Sequence, residues 1–81
     1  MDARQTLDHY FLEMRGRCLS LAADLDRVER AAGGRDLLAA DPRVEKLRQA
    51  IAVLQSPGHE KRSRAEQVQM IFSDLTPPPA R

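Results

Sequence analysis

The sequence predicts an all-α protein in which a long N-terminal helix forms an antiparallel hairpin with a second helix. A short third helix makes this a small three-helix bundle, followed by a proline-rich C-terminal tail. Three observations predict that class. Strand formers are scarce, with four Val, two Ile and two Thr, whereas Ala, Leu, Arg, Glu and Gln dominate and favour helix. Apolar residues recur at alternating intervals of three and four in three separate stretches, which is helical periodicity. Two clusters of helix breakers, Gly33-Gly34 and Ser56-Pro57-Gly58, separate those stretches.

The first predicted helix covers residues 3–32, with Asp2 as N-cap and Gln5 as its capping-box partner. Leu7, Phe11, Met14, Cys18, Leu21, Leu25 and Val28 are spaced 4, 3, 4, 3, 4, 3, a heptad seam. Gly33-Gly34 ends it, one glycine taking the left-handed cap conformation. Residues 36–40 form a short helical turn of their own. Asp41-Pro42 announces the second helix, an acceptor at N-cap and a proline where its missing N–H costs nothing. Val44, Leu47, Ile51 and Leu54 carry its seam. The third helix starts at the capping box Ser63-Arg64-Ala65-Glu66 and presents Val68, Ile71, Phe72 and Leu75. The connections are short enough for the two long seams to close on each other as a hairpin.

The chain is too short for two separately folding cores. We therefore expect a single helical domain over residues 1–75 and a flexible proline-rich tail over 76–81. Of the apolar side chains, eleven are Ala and one is Met1, so the core is thin. The net charge of +1 supplies no global field to recruit nucleic acid, anionic lipid or an acidic substrate. Cys18 is the single cysteine, which excludes an intrachain disulfide and a Cys/His zinc cluster and fits a reducing, cytoplasmic setting. No apolar run approaches the ~20 residues needed to span a bilayer. The N-terminus lacks the hydrophobic region of a signal peptide. No glycine sits in a phosphate-binding loop motif. Arg outnumbers Lys 11 to 2 and alanine is abundant, as in chains from GC-rich bacterial genomes.

The first helix also carries a second apolar line, Leu12, Gly16, Leu19 and Ala23, roughly 150° around from the seam. Gly16 in mid-helix costs ~1 kcal/mol relative to Ala, which points to a backbone passing close by. Either the other helices sandwich the first one, or this line binds a partner helix, most economically a second copy. These four residues are the partner-binding candidates.

Other constellations read as structure. His9 and Glu13 share a helical face but supply only two ligands, so no metal or cofactor is expected. Cys18 lies on the seam and is read as a core thiol rather than a nucleophile. Asp24/Arg27 and Asp26/Arg30 have the spacing of solvated intrahelical ion pairs. Lys61, Arg62 and Arg64 are the most basic cluster, diluted by Glu60 and Glu66 and without interleaved aromatics. Pro77-Pro78-Pro79 lacks a full PxxP with basic residues on both sides, so it reads as a disordered end rather than a polyproline ligand.

The run Leu21-Ala22-Ala23-Asp24-Leu25-Asp26-Arg27-Val28-Glu29-Arg30, followed by Ile71-Phe72-Ser73-Asp74, resembles short uncharacterised all-helical bacterial proteins. That resemblance implies a small helical fold and carries no activity or ligand. The expected function is a non-catalytic protein-binding or self-associating module, with a homodimer as one form. The alternative is a small nucleic-acid-associated regulator using Lys61, Arg62 and Arg64.

Overall fold

The computed structural model describes residues 1–58 and 61–73. The described residues form four helices, α1 (Ala3–Arg30), α2 (Gly34–Ala40), α3 (Pro42–Gln55) and α4 (Arg64–Ser73), with no strand among them. The fold class is therefore all-α. The expected turn at residues 36–40 is a helix of its own, which starts two residues earlier. His59, Glu60, Leu75 and the tail at 76–81 lie outside the described residues.

The chain divides into two units, Met1–Leu38 and Ala39–Arg81. In the first, α1 starts at a complete capping box. Gln5 donates its backbone N–H to Asp2 Oδ1 at 2.9 Å, and the Asp2 N–H reaches Gln5 Oε1 at 3.0 Å. Thr6 adds a hydroxyl bond to the Asp2 carbonyl at 2.8 Å, so the first turn leaves few backbone groups orphaned. At the other end Arg27 and Arg30 place positive charge on the carboxyl end of the helix dipole. The Ala31 N–H closes the last turn onto the carbonyls of Arg27 and Val28, both at 3.2 Å.

Gly33 has φ +76, the left-handed conformation expected of one of the two glycines. Gly34 follows, buried, with its N–H donating to the Ala31 carbonyl at 2.9 Å. It sits against the carbonyl oxygens of Val28 and Glu29, so close that a side chain has no room. The two glycines thus do different work. Gly33 allows the turn, and Gly34 allows α2 to begin in contact with the end of α1.

In the second unit α3 and α4 pack on each other. Asp41 caps α3 by accepting the Arg43 N–H at 2.8 Å, with Pro42 at the first helical position. Its carboxylate also takes a two-pronged bond from the Arg43 guanidinium, at 3.0 and 2.9 Å. Ser63 Oγ accepts the Glu66 N–H at 3.1 Å and caps α4, as the capping-box spacing predicts. Arg64 Nε donates to the Ser56 carbonyl at 2.6 Å, which ties the start of α4 to the end of α3. Ala50 is the one buried hydrophobic residue among those described. Val44, Leu47, Ile51, Val68, Ile71 and Phe72 are half-buried, but Leu54 is exposed, which corrects its place in the expected seam, so the apolar rows of α3 and α4 are only partly covered.

The Asp41 cap gives the unit a mild acid sensitivity. The side-chain hydrogen bond from Arg43, followed by the backbone bond from the same residue, holds the Asp41 carboxyl below its ordinary value. A carboxylate lowered in the folded state contributes stability that is present above the unfolded value near ~3.9 and is lost as pH falls through the folded one. Acidification below about pH 4 should therefore fray the first turn of α3, read as faster exchange of the amides that follow Pro42. Asp41→Asn keeps a capping oxygen that does not titrate and should flatten that dependence.

Candidate functional site

The two faces of α1 form the candidate surface. On the first face, Leu7 is 53% exposed, Phe11 51% and Met14 46%, and Cys18 is exposed as well. This corrects the expectation that these four residues are core positions and that Cys18 is a buried thiol. Periodicity marks a helix face that avoids water, but it does not say which molecule covers it. Within its own unit α1 has only the first five residues of α2, which cannot cover a 28-residue helix. The C-terminal part of the same seam, Leu21, Leu25 and Val28, is half-buried.

The second line is also open. Leu12 is 76% and Leu19 54% exposed, while Gly16 and Ala23 are half-buried. A Cβ built on Gly16 meets nothing within 4 Å among the described residues. That corrects the close approach expected from a mid-helix glycine. Gly16 instead floors a shallow open groove bordered by Glu13, Arg17, Ser20 and Asp24. Two ion pairs lie along its rim. Arg17 reaches Glu13 at 3.0 Å and Arg27 reaches Asp24 at 2.6 Å. The expected Asp26/Arg30 pair does not form, as is common where an exposed pair gains too little to fix two long side chains.

The remaining sequence candidates lie apart from this surface. His9 packs edge-on against the Tyr10 ring, centroids 4.7 Å apart. Among the described residues no three His, Cys, Asp or Glu side chains gather in a metal-binding group. Of the basic cluster, Lys61 is exposed, Arg62 lies 3.5 Å from Glu66, and Arg64 is committed to the Ser56 carbonyl. Two of its three charges are thus engaged within the chain. No helix among the described residues is long and apolar enough to cross a membrane.

The geometry defines a class of protein by its surface: a helical chain in which the longest described helix carries exposed apolar residues on two faces. Neither a family model, nor a curated protein, nor a solved structure matches it.

Proposed function

We propose that the protein is a non-catalytic helical association module that binds copies of itself through α1. The observation that carries this reading is the exposure of Leu7, Phe11 and Met14 on one face of α1 and of Leu12 and Leu19 on the other. Water-exposed apolar rows of this length are unfavourable on a monomer and mark interaction surfaces. Leu12, Gly16, Leu19 and Ala23 remain the partner-binding candidates on the second line, with Gly16 allowing a neighbouring helix axis to come close.

Leu19→Glu tests the second line. The side chain is exposed, so the substitution should leave the helical circular dichroism spectrum unchanged. Placed in an interface it buries a charge, and the association constant should fall by roughly tenfold or more. Sedimentation velocity reads the outcome. Wild-type protein that sediments as a monomer at every accessible concentration removes the self-association reading.

A further inference from the structure

We propose that the N-terminal half of α1 pairs antiparallel with the same half of a second copy, about a two-fold axis between Phe11 and Met14. The proposal rests on the self-association reading and adds to it a face, a direction and a register.

The face follows from exposure. Leu7, Phe11, Met14 and Cys18 are exposed, whereas Leu21, Leu25 and Val28 further along the same seam are half-buried. In an antiparallel pair of heptad helices, residues from the two alternating seam positions face each other, so the numbers of facing residues share one sum. A sum of 25 matches the exposed stretch to itself: Leu7 faces Cys18 of the second copy and Phe11 faces its Met14. Registers with sums of 32 or 39 would draw on the half-buried C-terminal part.

The bordering charges select the same register. Asp8 and Arg15 lie along one side of the seam, Tyr10 and Arg17 along the other. With the sum of 25, Asp8 of each copy comes opposite Arg15 of the other, and Tyr10 comes beside Arg17, a guanidinium within reach of an aromatic face. No like charges meet. Moving to a sum of 32 sets Arg15 against Arg15 and Arg17 against Arg17, and a sum of 39 sets Asp8 against Glu29, which offsets its Arg17–Asp24 contact. A parallel, in-register pair forms no opposite-charge contact and sets Asp24 against Glu29. Among the described residues neither Asp8 nor Arg15 has an ion-pair partner within the chain, so both charges are available.

The thiol provides the readout. In this register the two Cys18 residues are separated by roughly 16 Å along the helices at ~1.5 Å per residue, beyond the reach of a disulfide. A parallel pair would set them side by side. Mild oxidation of the wild-type full chain should therefore leave it unlinked, whereas Leu7→Cys should yield a disulfide-linked dimer under the same conditions. In sedimentation, Asp8→Arg and Arg15→Asp should each weaken association by roughly tenfold, and the double exchange should restore it. Circular dichroism confirms that each variant stays helical. Wild-type linkage through Cys18, a Leu7→Cys dimer that does not link, or a double exchange that fails to restore association overturns the antiparallel register while leaving self-association standing. A monomer at every concentration overturns both.

Discussion

A hundredfold dilution of the protein should lower its thermal midpoint by roughly 10 °C, because a self-associating fold loses about 2.7 kcal/mol of linked stability over that range. The expectation comes from how little the described residues bury. Ala50, 7% exposed, is the one buried hydrophobic residue among them, and Leu7, Tyr10, Phe11, Leu12, Met14 and Leu19 of α1 face water. A net stability of ~5 kcal/mol for a domain of this size requires more covered apolar area than that, and association is where it is available. A midpoint that does not change with concentration, followed by circular dichroism at 222 nm, would show that the single chain supplies its own stability.

The second large effect is local. Gly34→Ala should cost on the order of 1–3 kcal/mol and lower the midpoint by roughly 5 to 15 °C. The added Cβ lands on the Val28 carbonyl oxygen and within 2.8 Å of that of Glu29. Both are backbone atoms that cannot turn aside, so the end of α1 and the start of α2 must separate. Gly33→Ala is the useful comparison. Its site is open but its φ of +76 is unfavourable for a Cβ, so the cost should be about 1 kcal/mol. If the two variants melt alike, close packing at Gly34 is not what holds the junction.

Much of the fold was legible in the sequence because it is local. Asp2 with Gln5, Asp41 with Pro42, and Ser63 with Glu66 each mark a helix start through groups no more than three residues apart. Burial is a different kind of property. The spacing of Leu7, Phe11, Met14 and Cys18 is the same whether the seam meets a helix of its own chain or of another, so periodicity alone misplaced these residues in a monomer core. The same ambiguity applied to Gly16, where a mid-helix glycine signals a close neighbour only if that neighbour is present. The charge pattern of Asp8, Arg15, Tyr10 and Arg17 was present in the sequence. It acquired meaning only once the structure showed which part of the seam is exposed.

Gly16 also sets the tempo of α1. With no side chain to pack and nothing within 4 Å of where a Cβ would stand, it is a weak link worth ~1 kcal/mol in the middle of the helix. Residues 3–15 before it are close to the ~12–15 at which a lone helix is marginal in water. Amide protons in that segment should exchange with solvent in local openings that leave the rest of α1 intact. A bound neighbour would close those openings, so the segment that contributes Leu7, Phe11 and Met14 would fold and dock in one step rather than present a rigid edge. Gly16→Ala, by strengthening that link, would slow exchange in the free chain and reduce the ordering still to be done when two helices meet.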